Sequence, residues 1–441
     1  MRGLAPLISL LALWVTPAVA QDFTTLKGHG GPIMDIAVAP DGTVVTASFD
    51  NSVGVWDGRT PTWLEGHDAA VIALTSPETQ LVISGGDDFR VLVQHPELST
   101  ALRVTEHKGK VSDIAIDLRN DRLATASWDG TIHLVTIVRL LQSIDSPPFD
   151  FLPRVLTGHK SGVNAVAFAP SGGLYSASSD GTILNWEGRD TAIHGRPIVK
   201  HGFGINKLIV TDDWLAYGAV DGGTRIVHPE TGDQISDFTL DRRPILSMAY
   251  HADTHQLAVG DGQGYIMMID TAAWKISRDF RATRNGPVWA LAFSNDGQTI
   301  WAGGLDDVAY GWPVASLDEY DPAINGERSF LQAADTMPNG ERQFMRKCSI
   351  CHALEAGPSR KAGPTMHGVF GRRAGTVPGY SYSDTLDGSP IIWDEATIDA
   401  LFDQGPDHYI PGSKMPMQVI AKPQDRADLI TFLKDNTSQG D

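Results

Sequence analysis

The chain has very few cysteines, no long apolar run beyond its N-terminal segment, and a shortage of basic residues. Only Cys348 and Cys351 occur among 441 residues, which excludes a zinc site built from two cysteine pairs. After residue 20, no stretch reaches the roughly 18 apolar residues of a membrane-spanning helix. The formal net charge of −18 argues against nucleic acid as a partner. We therefore expect neither a membrane span nor nucleic acid binding.

Residues 1–20 have the pattern of a secretory signal peptide. They contain Arg2, an apolar run from Leu4 to Val15, and the small-residue ending Ala18-Val19-Ala20. Cleavage before Gln21 predicts a mature protein outside the cytoplasm, and the periplasm of a Gram-negative bacterium is the compartment that this pattern favours.

The two cysteines belong to the stretch Cys348-Ser349-Ile350-Cys351-His352. This spacing is typical of the attachment site of a c-type haem, in which both thiols bond to the porphyrin edge and the histidine is an axial ligand of the iron. A thioredoxin-like redox pair would need a flanking βαβ pattern, which the sequence lacks. A structural disulfide is the remaining alternative. The motif predicts one covalently bound haem c.

Residues 22 to about 316 form copies with a period of about 40 residues. A histidine recurs, followed farther along by an aspartate: His29, His67, His107, His159 and His201, then Asp50, Asp88, Asp129, Asp180 and Asp306. Two weaker copies fit between Asp180 and Asp306, which gives seven. Alternating apolar residues, as in 163–168, predict β-strands. The copies resemble WD40-type repeats, which implies an all-β, seven-bladed propeller.

This resemblance implies a buried hydrogen-bond chain in each blade, from the histidine, a strand Ser or Thr, the aspartate and a tryptophan. Three copies carry most of the set: His29, Ser48, Asp50 and Trp56; His107, Ser127 and Asp129, with Val135 in the tryptophan position; and His159, Ser178, Asp180 and Trp186. Ligation of a metal or haem by these histidines is the alternative. Their periodic pairing with aspartate favours the structural network.

The last copy ends at the strand Val308 to Pro313 without a fourth strand, which Phe23 to Leu26 can supply. An insertion at Ser143 to Pro153 predicts an exposed loop. The repeat pattern ends near 316. We predict a signal peptide at 1–20, a seven-bladed WD40-type propeller at 22–316, a linker at 317–335 and an all-α haem domain at 336–441.

The last part of the chain, from about Asn339 to Leu433, resembles the class I, mitochondrial-type cytochromes c. Gly340 and Phe344, with Leu429 and Phe432, match the contact of that family's terminal helices. Three further stretches match its haem-binding loops: Gly363-Pro364, Gly371 to Tyr382, and Tyr409 to Met415. The resemblance covers nearly all of the predicted haem domain.

The resemblance also implies roles for individual residues. Pro364 would accept a hydrogen bond from the axial His352, Met415 would be the second axial ligand, and Ser413 would supply a hydroxyl in the ligand loop. Arg372, Tyr382 and Trp393 would contact the haem propionates. Met417 is an alternative axial ligand. Phe402 and Met417 depart from the family, which usually has a tyrosine near the axial sulfur and a phenylalanine at the haem edge.

The sequence predicts a periplasmic electron carrier rather than an enzyme. Its partner would be a redox protein, docking through the haem edge, the propeller or both. Four basic residues, Arg346, Lys347, Arg360 and Lys361, flank the attachment site and favour an acidic partner. Two alternatives stay open: a redox enzyme with a second cofactor in the propeller, and a non-redox assembly protein in which haem is structural.

Overall fold

A computed structural model describes residues 23–78, 81–97, 101–137, 153–188, 193–239, 244–283, 286–319, 338–349, 351–357, 361–383, 385–413, 415 and 418–437. The N-terminal part consists of seven four-stranded antiparallel sheets. Their strands are short, and the inner ones are largely buried, as in Val44–Ser48, whereas outer ones such as Lys275–Arg281 are mostly exposed. The predicted seven-bladed propeller is confirmed.

Each of the first six blades takes four consecutive strands. Blades one to three contain β2 Ile33–Val38, β3 Val44–Ser48, β4 Val53–Asp57, β5 Thr60–Leu64, β6 Val71–Glu78, β7 Leu81–Gly86, β8 Arg90–Gln94, β9 Leu102–Glu106, β10 Val111–Asp117, β11 Arg122–Ser127, β12 Thr131–Thr136 and β13 Arg154–Thr157. Blades four to six contain β14 Val163–Phe168, β15 Leu174–Ser178, β16 Thr182–Glu187, β17 His194–Lys200, β18 Ile205–Val210, β19 Leu215–Ala219, β20 Thr224–Val227, β21 Gln234–Asp237, β22 Ile245–His251, β23 Gln256–Asp261, β24 Tyr265–Asp270 and β25 Lys275–Arg281.

The seventh blade joins the two ends of the propeller. It contains β26 Val288–Phe293, β27 Thr299–Gly304 and β28 Val308–Pro313, and its outer strand is β1 Thr24–Lys27. Strand β1 pairs antiparallel with β28, from Thr24 opposite Gly311 to Lys27 opposite Val308. The predicted closing strand is therefore present, and it leaves no open edge on β28.

The hydrogen-bond chain inside the blades uses a different hydroxyl from the one predicted. In blade one, His29 Nδ1 lies 3.0 Å from Asp50 Oδ2, while His29 Nε2 lies 2.7 Å from Thr46 Oγ1. The indole of Trp56 donates to the same Thr46 oxygen at 2.8 Å. Ser48 instead donates to the carbonyl of Gly31.

Blades three and four repeat this correction. The hydroxyls bonded to their histidines are those of Thr125 and Ser176, not of Ser127 and Ser178. The physical reason is strand register. Residues two apart on a strand point to the same face. Of the two hydroxyl residues on that face, the histidine reaches the one that lies farther from the turn containing the aspartate.

The C-terminal part is helical and small. Its helices are α1 Asn339–Lys347, α2 Glu395–Gln404, α3 Pro406–Tyr409 and α4 Pro423–Thr437. Helices α1 and α4 cross closely at Gly340, where an added Cβ would lie 2.2 Å from the Asp428 carbonyl oxygen. The rings of Phe344 and Phe432 pack beside this crossing with centroids 5.4 Å apart. The predicted contact between the terminal helices is present.

Some predictions concern residues outside the described ranges. These include the signal peptide at 1–20, most of the Ser143 to Pro153 insertion, and most of the 317–335 linker. The first residues of that linker form the end of a 3-10 helix, Val314–Glu319, in which Leu317 is fully buried against the propeller core. None of the described helices is both long and apolar enough to cross a membrane.

Candidate functional site

The sequence-predicted site residues surround one cavity of about 750 Å³. Pockets for cofactors usually enclose roughly 300–1,000 Å³. The cavity wall includes every predicted site residue that the structure describes: Cys348, Cys351, His352, Pro364, Arg372, Tyr382, Trp393, Ser413 and Met415. Met417, the alternative axial ligand, lies outside the described residues.

The two cysteines lie at the C-terminal end of α1. The amide of Cys348 donates to the carbonyl of Phe344, and the amide of His352 donates to the carbonyl of Cys348. This continues the helical turn, so both thiols and the imidazole line the same cavity. Neither sulfur is in a disulfide.

Burial raises the pKa of the Cys348 thiol to about 12 and that of the Cys351 thiol to about 11. A thioredoxin-like pair requires the opposite shift, because its nucleophile is a thiolate. The environment of these two thiols therefore disfavours the redox-pair alternative.

The imidazole of His352 is held in one orientation. Its Nδ1 lies 2.7 Å from the carbonyl oxygen of Pro364. Since a carbonyl only accepts, Nδ1 must carry the hydrogen, and the lone pair of the neutral ring is on Nε2. Burial lowers the pKa of His352, which keeps the ring neutral. A neutral imidazole with a fixed tautomer is suited to binding a metal ion.

Backbone hydrogen bonds bring the loop residues of the site together. Trp393 and Arg372 pair through the Trp393 amide and the Arg372 carbonyl at 2.9 Å. The guanidinium of Arg372 donates to the carbonyls of His367 and Thr365 at 2.7 and 2.8 Å. The hydroxyl of Tyr382 accepts from the amide of Val377. Arg372 thus ties the loop after Pro364 to the strand-like segment at Trp393.

The opposite side of the cavity is formed by α2 and the loop before α4. Helix α2 begins after Asp394, whose carboxylate accepts from the amide of Thr397. Its buried Phe402 lines the cavity, so the position lacks the hydroxyl that the family usually has. Met415 is partly buried against the apolar cluster that contains Phe402.

Sequence reasoning missed a third part of the wall, which comes from the propeller. Its main side chains are those of Phe49, Asp68, Phe89, Lys110 and Trp128, in the turns of blades one to three. A sequence signal existed: Phe49 and Trp128 each directly precede the turn aspartate of their copy. Large aromatic residues at those positions take no part in the His, Asp and hydroxyl network.

The residues present fit a haem c. The cavity offers one buried and one half-buried thiol at the attachment spacing, an imidazole with its free nitrogen fixed, and a thioether.

Comparisons with known proteins agree with both halves of this description. The cytochrome c family model matches residues 338–437, and the model for the WD domain, G-beta repeat, matches residues 21–57, 99–135 and 151–187. Cytochrome c from Sesamum indicum is 46% identical over 101 residues, which cover 23% of this chain and 89% of that protein. Cytochrome c from Cochliobolus lunatus is 46% identical over 100 residues, covering 22% of this chain and 90% of that protein.

The propeller has a structural counterpart with a dissimilar sequence. The crystal structure of the WD40 beta propeller domain of Doa1 superimposes with a TM-score of 0.57 at 17% identity, covering 65% of this chain and 94% of that one. This likeness concerns the fold alone. By its residues 338–437 the chain belongs to the cytochrome c family, and it joins a domain of that family, with one covalently bound haem c, to a WD40-type propeller.

Proposed function

We propose that the protein is an exported electron carrier whose single haem is bound through Cys348 and Cys351 and ligated by His352 and Met415. The observation that carries this proposal is the fixed His352 imidazole, 2.7 Å from the Pro364 carbonyl, on the same cavity wall as both thiols and the Met415 thioether. Haem iron supplies reversible one-electron chemistry, and a thioether ligand favours the reduced state.

The other residues of the cavity bind and orient the cofactor. Pro364 holds the tautomer of His352, and the donors of Arg372, Tyr382, Trp393 and Ser413 are available for carboxylates that would otherwise be buried without partners. Phe402 and its apolar neighbours exclude water from the sulfur side. The protein's own contribution is therefore a dry, rigid site that changes little between the two oxidation states.

The propeller would recognise or scaffold a protein redox partner. Propellers present broad surfaces built from loops, and function usually resides in such loops. The pattern at residues 1–20 supports export, and the periplasm of a Gram-negative bacterium is the proposed compartment. An electron carrier there would dock its partner through the haem edge, the propeller or both.

The identity of the second axial ligand tests this proposal. In the full-length protein, Met415→Ala should convert the ferric absorption spectrum from low-spin to one that responds to added small ligands. Met417→Ala should leave it largely unchanged, and it is the matched control because both variants remove one thioether and the two positions are only two residues apart in sequence. The reverse pattern would mean that Met417, and not Met415, is the second axial ligand. Two low-spin spectra would mean that neither methionine by itself is required as the ligand.

A further inference from the structure

The turns of blades one to three face the haem domain across the cavity. Phe49 and Asn51 come from blade one, Phe89 from blade two, and Lys110 and Trp128 from blade three. The turn aspartates between them are committed to the structural histidines, as in the 3.0 Å contact of Asp50 with His29. The side chains that flank the aspartates are therefore the ones available to a ligand.

Phe89 has an unfavourable backbone conformation. Its φ is +70°, whereas the equivalent residues that follow the turn aspartate in blades three, four and five are Gly130, Gly181 and Gly222, with φ of +85°, +79° and +89°. A phenylalanine in this region carries a cost in backbone strain relative to the ordinary helical conformation, because its Cβ comes too close to the following carbonyl oxygen. The ring is also 41% exposed, so burial in the propeller core does not offset that cost. Strain of this kind is commonly retained at functional sites.

Trp128 is a second exposed aromatic residue on the same wall. Its side chain is 55% exposed, and the ammonium nitrogen of Lys110 lies 3.6 Å from the centroid of its ring. A cation over an aromatic face fixes both groups where they stand. The wall thus offers a large apolar surface beside the Lys110 ammonium group, together with the carboxylates of Asp68 and Asp87.

Charges on the two domains complement each other at this boundary. Burial lowers the pKa of Lys361 in the haem domain, and the nearby carboxylates of Asp307 and Asp50 raise it. Attraction between these groups favours the position in which the propeller turns cover the cavity.

We propose that the turns of blades one to three are the second wall of the haem site, with Phe89 and Trp128 against the porphyrin and Lys110 as the charge beside it. The inference rests on the haem site proposed above. Ferric haem carries one more positive charge than ferrous haem. The aromatic rings, which exclude water, and the Lys110 ammonium group disfavour the ferric state, whereas the carboxylates of Asp68 and Asp87 on the same wall favour it. Phe89 and Lys110 therefore each raise the reduction potential above the value that the site has without them.

The test uses the full-length haem protein, three single variants and one double variant. Phe89→Gly removes the ring and introduces the residue that three other blades have, so the fold should be retained. Phe203→Ala is the control, because Phe203 is a propeller phenylalanine that is 58% exposed and is not part of the cavity wall. Lys110→Met removes the charge but keeps most of the side-chain volume.

We expect Phe89→Gly and Lys110→Met to lower the midpoint potential, and their combination to lower it further, while Phe203→Ala leaves it unchanged. Phe89→Gly should also alter the Soret circular dichroism, which senses aromatic rings next to haem. All variants should keep the ferric low-spin spectrum. Unchanged potentials and unchanged Soret dichroism in Phe89→Gly and Lys110→Met would mean that the turns of blades one to three do not form a wall of the haem site. A failure of the proposed haem ligation would instead appear in the Met415→Ala and Met417→Ala spectra.

Discussion

Replacing Gly363 by alanine is the sharpest perturbation of the site that the structure offers. An ideal Cβ at residue 363 would lie 2.4 Å from His352 Cε1, 2.7 Å from His352 Nδ1 and 2.9 Å from the Cys351 carbonyl oxygen. Carbon atoms in contact stay about 3.5–4.0 Å apart, so the imidazole must move by about 1 Å. That movement stretches the 2.7 Å hydrogen bond to Pro364, which fixes the ring.

We expect Gly363→Ala to lower the free energy of unfolding of the haem domain by about 1–3 kcal/mol, as overpacked cores do, and to weaken the bond from His352 to iron. The assays are urea unfolding followed at the Soret band and the ferric absorption spectrum. Gly379→Ala is the control: its φ is +77° and a Cβ there meets nothing within 4 Å, so it adds backbone strain alone. A Gly363→Ala protein with the stability and spectrum of the wild type would mean that His352 accommodates the added methyl group without losing its hydrogen bond to Pro364.

Three further predictions concern the two folds. Thr46→Val should leave Trp56 Nε1 and His29 Nε2 unpaired. It should lower the free energy of unfolding of the propeller by about 2–6 kcal/mol, measured by urea unfolding followed by tryptophan fluorescence. A smaller loss than that of Ser48→Ala would contradict the assignment of the Thr46 hydroxyl to the network. Burial raises the pKa of the Asp35 carboxyl to about 6. The contribution of the protonated carboxyl to the stability of the folded state is therefore present below pH 4 and is lost as the pH rises through 6. The stability of Asp35→Asn relative to the wild type should then increase by about 3 kcal/mol between pH 4 and 7, and a difference that does not vary with pH would be the contrary result. Residues 330–441, exported alone, should fold and incorporate haem, because both terminal helices lie within them; failure where the full chain succeeds would mean that the propeller completes the haem domain.

The features predicted best are those that depend on short spacing or on repetition. The Cys348 to His352 motif fixes its chemistry within five residues, and the helical turn at the end of α1 places both thiols on one cavity. The seven-fold repeat specified the number of blades. It also predicted the closing strand, because a last copy with three strands leaves an unpaired edge that only the N-terminal strand can cover.

The hydroxyl in the blade network could not be chosen from the sequence. Thr46 and Ser48 are both small hydroxyl residues on the same face of β3. The choice depends on cross-strand register: Trp56 lies opposite Val44, so its indole reaches Thr46 and not Ser48. Register of this kind is set by the turn and by packing, and one pattern of alternation is compatible with either residue.

The propeller side of the cavity could not be predicted because it depends on contacts between residues distant in sequence. Phe89 and Met366 line the same cavity although about 280 residues separate them. The local signal was only that Phe89 stands where several other copies have glycine. Such a departure indicates a special backbone position, but it does not say what the side chain meets.

The position of Lys361 changes how the basic residues near the attachment site should be understood. From the sequence, they favour an acidic protein partner. In the structure, Lys361 is partly buried, and the carboxylates of Asp50 and Asp307 in the propeller attract its ammonium group. Exposed charges lose most of their attraction over about 10 Å at 0.1 M salt, whereas buried pairs are screened much less. The propeller therefore keeps its attraction for this part of the haem domain at salt concentrations that screen exposed charges.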